Sequence, residues 1–386
     1  VLALSVPRLI ERIHASPHQV VVEFAGAGVQ ALAWLHSVAG SSRTILEATD
    51  RYAAASLVEL IGFQPERFTS RQVSTAMAAA AYQRAQILAE AGPPLIGLGC
   101  TATIATDRQK RGEHRCFVSA YTPQQLLTFE LTLAKGLRQR HQEEELVSRL
   151  LLRVLAEACE LDSQVDLRLT GDERLLALRQ PVHLAADLLA GQVETVTVWP
   201  DGRLTPDQRL EHIALVSGSF NPLHQGHRCM AKLAASKPDY PVYFELPLLN
   251  ADKAIIQPAE AWRRAAQFAD VAPLVLSPAP LFSRKAELYP YSIFVVGFDT
   301  AARIVDPRFY EHDPAKMRLA LADIQRSGCR FLVVGRVTDR RFMTVADLHL
   351  PADFASLFEG VSETEFRIDL SSTELRSQQL GEKSSG

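Results

Sequence analysis

Cysteine is scarce in this chain and is not spaced for chemistry. The 386 residues hold five, at Cys100, Cys116, Cys159, Cys229 and Cys329. The number is odd, the spacings are wide, and no C-x-x-C occurs. This argues against a disulfide framework and a cysteine zinc site, and buried free thiols in a reducing compartment are expected instead. Long apolar runs are missing as well. Nothing approaches the roughly 18 residues of a membrane span. The opening stretch VLALSVPRLIERI is too short for a signal peptide and is interrupted by Pro7 and Arg8. It starts on Val1 rather than Met, so the true N-terminus is expected to be trimmed or missing, with the cytoplasm as the expected compartment. An excess of either charge is also lacking. Lys plus Arg number 41 and Asp plus Glu 44, a formal net charge of −3. Such a balance offers no global attraction to nucleic acid or to an acidic membrane, and neither is expected as a partner.

What is present is the material of a globular α/β protein. Hydrophobic residues make up 47% and charged residues 22%, enough apolar side chain for more than one core. At roughly 150 residues per domain the length suggests two domains. In the first segment Val20–Val22 reads as a short buried strand, followed by Gly26, Gly28 and a helix from Val29 to Ser37. Residues 76–91 read as an Ala-rich helix, with strands expected at 95–98 and 116–120. Residues 126–159 carry helical periodicity, with the charged run 141–145 on a solvated face. This alternation suggests an α/β layer domain over residues 1–160.

Residues 161–211 have a different texture and are expected to form a structured connector, with a hairpin turn at Asp201-Gly202. From 212 to 386 the alternation restarts. Strands are expected at 213–216, 242–246, 274–276, 293–296 and 331–334, with helices between most of them. That rhythm predicts a Rossmann-like, doubly wound sheet of mostly parallel strands.

The sharpest signal is Ser217-Gly218-Ser219-Phe220-Asn221-Pro222-Leu223-His224-Gln225-Gly226-His227. It follows a buried strand and opens a helix. Gly218 allows close backbone approach. A helix N-terminus offers free N–H groups and a partial positive charge, which suit phosphate. His224 and His227, three residues apart, can face one spot on the first turn. Two imidazoles there can donate hydrogen bonds to phosphoryl oxygens, more strongly as charge develops on them. A metal site is the competing reading of two such histidines, but no third ligand lies nearby in sequence.

The stretch G-S-F-N-P-L-H-Q-G-H resembles the signature of the nucleotidylyltransferase superfamily, and in its extended form that of the nicotinamide/nicotinate mononucleotide adenylyltransferases. Near the other end, Asp369-Leu370-Ser371-Ser372-Thr373-Glu374-Leu375-Arg376 is similar to the I-S-S-T-x-I-R motif of the same superfamily, with Leu at both Ile positions. On its own that stretch also reads as a helix N-cap. The resemblance implies that ATP or another NTP binds with Mg²⁺ between the two motifs. An acceptor phosphate then attacks the α-phosphorus and pyrophosphate leaves. It implies that Gly218, Ser219, Phe220 and Asn221 line the nucleotide site. His224 and His227 would be catalytic, stabilising the α- and β-phosphates. Ser371, Ser372, Thr373 and Arg376 would hold the β- and γ-phosphates. The chain itself supplies no metal ligand on this reading.

Acceptor recognition is carried by weaker likenesses. Gly297-Phe298-Asp299-Thr300 resembles the family's G-x-D step, with Asp299 placed to read a ribose hydroxyl or an amide. The family often has a Trp soon after, where this chain has Phe309-Tyr310. Asn250-Ala251-Asp252-Lys253 looks like the stretch that presents a Lys to phosphate. Trp262, Arg263 and Arg264 fall where the family has an Arg-bearing helix, and FLVVGR, residues 331–336, resembles its later strand and following Arg. Lys253, Trp262 and Asp299 are therefore the acceptor-binding candidates.

Residues 20–160 resemble a second family, the C-terminal domain of CinA, associated with nicotinamide mononucleotide deamidase activity. The likeness rests on E-F-A-G-A-G (23–28), on A-G-S-S (39–42) and on the helical architecture expected to follow. The deamidase pattern begins E-S-C-T-G-G, and here Phe24 stands where its nucleophilic Ser belongs. Tyr52 matches the pattern, while Leu57 replaces an expected Lys. Phe has no lone pair and Leu cannot act as a base. The domain is expected to be catalytically silent and to serve as a binding, regulatory or oligomerising module, with Ser41, Ser42, Thr101 and Thr103 in structural roles. The expected function of the whole is nucleotidyl transfer from ATP to a phosphorylated small molecule, nicotinamide or nicotinate mononucleotide. Alternatives are cytidylyl transfer to a phosphorylated alcohol, a non-catalytic nucleotide sensor, and an enzyme that also retains the deamidase step.

Overall fold

The computed structural model describes residues 5–107, 112–162, 165–236, 239–249, 254–338 and 341–362. The chain divides into two compact units. The first comprises residues 1–186, 201–203 and 257–269, and the second comprises the remainder.

The first unit is built on a six-stranded sheet. Its strands are β1 (Gln19–Ala25), β2 (Ile45–Asp50), β3 (Leu95–Thr103), β4 (His114–Tyr121), β5 (Leu126–Leu133) and β6 (Arg174–Gln180), in spatial order β2-β1-β3-β4-β5-β6. β1 runs parallel to both neighbours, and the pairings from β3 onward are antiparallel. The run QVVVEFA is buried from Val20 onward, as a central strand covered on both faces must be. Helices α1 (Val6–Ala15), α2 (Val29–Ser37), α3 (Ser41–Thr44), α4 (Ala54–Ile61), α5 (Arg71–Leu88) and α6 (Arg140–Ala158) complete this part of the unit. The apolar residues of α6 join Val20, Val22 and Phe24 of β1 in one core. The Ala-rich α5 lies so close to β3 that a Cβ at Gly97 would come within 2.1 Å of the Ala78 carbonyl oxygen. Small residues on both elements set that spacing.

The helical periodicity over 126–159 misleads for its first third. Residues 126–133, LLTFELTL, form β5, paired on both sides, and the helix starts only at Arg140. An apolar face repeated over two turns looks alike at both periods, and the cross-strand pairing decides. The stretch 161–211 does not stand as a separate connector. Its β6 closes the first sheet, and after α7 (Leu184–Leu189) the strands β7 (Val196–Val198) and β8 (Leu204–Pro206) form the expected antiparallel hairpin at the edge of the second sheet.

The second unit carries an eight-stranded sheet. After β7 and β8 come β9 (Ala214–Ser217), α8 (Gln225–Ala234), β10 (Val242–Pro247), α9 (Pro258–Ala265), β11 (Leu274–Ser277), α10 (Phe282–Leu288), β12 (Ile293–Gly297), α11 (Phe298–Ile304), α12 (Pro314–Arg326) and β13 (Arg330–Val334). A small hairpin, β14 (Arg336–Thr338) and β15 (Arg341–Met343), precedes β16 (Phe358–Gly360). The spatial order is β16-β13-β12-β9-β10-β11-β7-β8, and every pairing from β16 to β11 is parallel. The chain therefore winds outward from β9 through β10 and β11, returns to the middle, and winds the other way from β12. The reversal lies between β9 and β12, and a doubly wound sheet leaves a crevice beyond the carboxyl ends of the strands at that point. One crossover departs from this plan: α9, between β10 and β11 in sequence, belongs to the first unit, where it packs against α5. Among the described residues no helix is long and apolar enough to cross a membrane.

Candidate functional site

The turn that follows β9 opens at the reversal point. Its first half is fixed by burial. Phe220 is fully buried with φ at +44°, its ring set edge-on against Phe244 at 5.6 Å and against His227 at 4.9 Å between centroids. The Asn221-Pro222 peptide is cis. Gly218 makes room for the chain's own rings rather than only for a ligand. A Cβ there would lie 2.8 Å from Phe220 Cε1 and 3.2 Å from His227 Nε2.

The second half of the turn sets the histidines. His224 is the N-cap of α8, and its Nδ1 accepts the Gly226 backbone N–H at 3.1 Å. His227 Nδ1 accepts the His224 backbone N–H at 3.3 Å, which completes a reciprocal cap. The two rings stack with centroids 3.8 Å apart and planes 26° apart. A neutral imidazole that accepts at Nδ1 must carry its proton on Nε2. Burial, and secondarily the neighbouring His224, pushes the His227 pKa down to about 3, so this ring is neutral at ordinary pH. The backbone thus locks both histidines as Nε2–H donors. The backbone N–H groups of His224 and Gly226 at this helix start are spent on holding two ring donors in place. Such an array can hydrogen-bond phosphoryl oxygens without donating a proton outright.

The other candidates fall into three groups. Asp299 stands on the first turn of α11, at the carboxyl end of the strand adjoining β9, and is ion-paired with Arg336 just beyond β13. Phe309, 42% exposed, has the Arg303 guanidinium over its ring at 5.4 Å, and the Tyr310 hydroxyl donates to the Ile304 carbonyl at 2.9 Å. Trp262 is 2% exposed in the first unit and its indole N–H donates to the Val182 carbonyl at 2.9 Å. Its place is in a core, not at a ligand, and it is withdrawn from the acceptor candidates. Arg263 and Arg264 are both paired with Glu260, and Arg263 also donates to the Ile61 carbonyl. Lys253 and the whole of 369–376, with Ser371, Ser372, Thr373 and Arg376, lie outside the described residues.

A cluster that the sequence reading missed lies beside the turn. Ser217, Glu245, Ser277 and Lys285 form a hydrogen-bonded group, with Lys285 and Glu245 as a buried ion pair. The available signal was a glutamate inside the otherwise apolar strand VYFELP.

In the first unit, Phe24 and Leu57 are core residues, 4% and 3% exposed. The corner between β1 and α2 is occupied from within. Glu144 Oε1 accepts the backbone N–H of Gly28 at 2.9 Å and of Gln30 at 3.1 Å, and the Ser148 hydroxyl at 3.3 Å. Thr101 donates to the Phe68 carbonyl, Thr103 bonds Thr69, and Ser41 and Ser42 open the short α3. Tyr52 is 72% exposed. The cysteines are free thiols, all buried except the half-buried Cys229.

No protein-family model matches the chain, and no curated protein matches it. Among solved structures it is similar to the competence/damage inducible protein CihA from Agrobacterium tumefaciens, at 17% identity and a TM-score of 0.28, over 42% of this chain and 95% of that one. It is also similar to a competence-damaged protein (CinA) superfamily protein from Enterobacter cloacae, at 14% identity and a TM-score of 0.30, over 42% of this chain and 94% of that one. A competence or damage-inducible protein from Enterobacter asburiae stands at 14% identity and a TM-score of 0.29, over 41% and 98%.

Proposed function

We propose that the second unit is a nucleotidylyltransferase that transfers AMP from ATP to the phosphate of a small acceptor, nicotinamide or nicotinate mononucleotide. One observation carries the reading: two stacked imidazoles, each held by backbone as an Nε2–H donor, stand at a helix N-terminus beside the reversal point of a doubly wound sheet. In the reaction an acceptor phosphate oxygen forms a bond to the α-phosphorus as the bond from that phosphorus to the α–β bridging oxygen breaks. Pyrophosphate takes the electron pair. No covalent link to the protein forms. The role of His224 and His227 is to donate to non-bridging oxygens whose negative charge grows in the transition state. Among the described residues no three His, Cys, Asp or Glu side chains converge as a metal site. Mg²⁺ is proposed to arrive with the phosphates of the incoming nucleotide. Asp299, at the neighbouring strand end, is suited to a ribose hydroxyl or an amide of the acceptor. Ser371, Ser372, Thr373 and Arg376 are proposed for the β- and γ-phosphates from their sequence.

The first unit, on this proposal, performs no amide hydrolysis. Phe24 supplies no nucleophile, and the helix donors nearest to it are taken by Glu144. A pyrophosphate-release screen tests the main reading. It crosses the four common NTPs with nicotinate and nicotinamide mononucleotides, phosphopantetheine and phosphorylated alcohols. Release with ATP and a pyridine mononucleotide is expected. Release only with CTP and a phosphorylated alcohol, or none with any pair, overturns it. Ammonia release from nicotinamide mononucleotide by the full chain would overturn the silence of the first unit.

A further inference from the structure

The buried cluster beside the turn has a geometry that suits a specific task. Ser217, the last residue of β9, donates its hydroxyl to Glu245 Oε2 at 2.7 Å. Ser277, the last residue of β11, donates to Glu245 Oε1 at 2.6 Å. Lys285 of α10 donates to Ser217 Oγ at 2.9 Å and pairs with Glu245 Oε2. Lys285 is 2% exposed and Glu245 is fully buried. The register explains how they meet. Glu245 stands opposite Ser217, and Ser277 stands opposite Pro247, two residues further on, so the three share one face of the sheet. Leu215, Tyr243 and Val275, two residues earlier on the same strands, are part of the apolar core on that face.

A buried ion pair is a poor device for stability alone, since apolar residues of similar volume often serve as well or better. Here an apolar layer already lies two residues away. What the charged layer adds is a grip on one point of the chain. Glu245 holds the end of β9 twice, through its carboxylate on the Ser217 hydroxyl and through its backbone carbonyl on the Gly218 N–H at 3.0 Å. Lys285 donates to the same hydroxyl and balances the carboxylate. Gly218 in turn lies against the Phe220 ring and His227 Nε2, with no room for even a methyl group. A shift of the junction by a few tenths of an ångström is therefore passed to His227.

We propose that Glu245 and Lys285 are positioning residues, which hold Ser217 and Gly218 so that the His227 Nε2–H stays aimed at the reacting phosphate. The identity of the target rests on the nucleotidyl-transfer reading, whereas the aiming of the ring does not.

The experiment uses the full chain with ¹⁵N-labelled histidine, with the His224 and His227 signals assigned by substitution. Ser217→Ala cuts the link between the junction and the ion pair. The double variant Glu245→Leu/Lys285→Met removes the pair without leaving a lone charge. Each is compared with the parent for imidazole ¹⁵N shifts, thermal midpoint and pyrophosphate release. The parent is expected to show His227 as a single Nε2–H tautomer. In both variants the chain stays folded, the His227 signals move toward a mixture of tautomers, and kcat falls about 10²-fold while KM for ATP changes less than about threefold. Ser217→Thr restores the signals and the rate. A folded variant with unmoved His227 signals and parental kcat overturns the proposal. If the parent releases no pyrophosphate with any pair, the transferase reading fails and the imidazole signals alone decide the positioning. If the double variant does not fold, Ser217→Ala decides it.

Discussion

Two corners of this molecule share one plan and reach different ends. In each, a buried strand runs into a glycine-bearing turn and then a helix: β1 into α2 in the first unit, β9 into α8 in the second. In the first corner, Glu144 reaches in from α6, 114 residues further along the chain, and accepts the N–H groups of Gly28 and Gln30. In the second, the N-cap is His224, whose ring accepts one N–H through Nδ1 and keeps a donor at Nε2. A carboxylate cap neutralises a helix end, because it accepts and has nothing to give back. An imidazole cap preserves the donor character of the end and moves it outward by the width of a ring. A helix N-terminus is therefore not an anion site by virtue of its position, because the side chain that caps it decides what remains on offer.

Substitutions at the two corners should show opposite patterns. His227→Ala is expected to cost the most, about 10²-fold or more in the rate of pyrophosphate release, as loss of a transition-state donor does. A parental rate would remove this ring from the mechanism. Gly218→Ala should come next, with a fall of about 10-fold in rate, since its new methyl must displace Phe220 or His227. A crystal structure of that variant should show the His227 ring turned. Glu144→Ala, at the first corner, should leave the transferase rate unchanged and lower stability by about 1 kcal/mol, the usual cost of a lost cap, as read from urea unfolding. The last effect concerns pH. Folding lowers the His227 pKa from 6.5 to about 3, so between those values the unfolded chain takes up a proton that the folded chain refuses. Stability should fall as the pH drops from about 6.5 toward about 3. In His227→Asn that part of the decline should be shallower, measured by denaturant unfolding across the same range.

The second corner was legible in the sequence because its parts are consecutive. Strand, glycine, Phe, Pro and both histidines lie within fourteen residues from Ala214 to His227, and each reports on the next through local geometry. The first corner was half legible. The apolar Phe24 after the buried run can be read directly, whereas Glu144 belongs to a charged run that local pattern assigns to a solvated helix face. The charge cluster was not legible at all. Ser217, Glu245, Ser277 and Lys285 come from four elements, and only the parallel register of three strands and the placement of α10 bring them together. The misreading of 126–133 as helix has a related origin, since what makes the segment a strand is its pairing with β4 and β6 and not a pattern within the segment itself. Trp262 was mistaken for an acceptor contact because its surroundings in sequence are those of the second unit while its partner Val182 is in the first.

That last placement bears on how the protein comes into being. Residues 257–269 complete the first unit, with Trp262 seated on Val182, Arg263 on Ile61 and Gln72 on the Gln267 carbonyl. A ribosome that has delivered the first 186 residues has not delivered that unit. It must first thread out β9, the histidine turn and β10, and only then does the missing helix emerge. The two units are thus interleaved in translation order, and no single scission of the chain would separate one from the other with both whole.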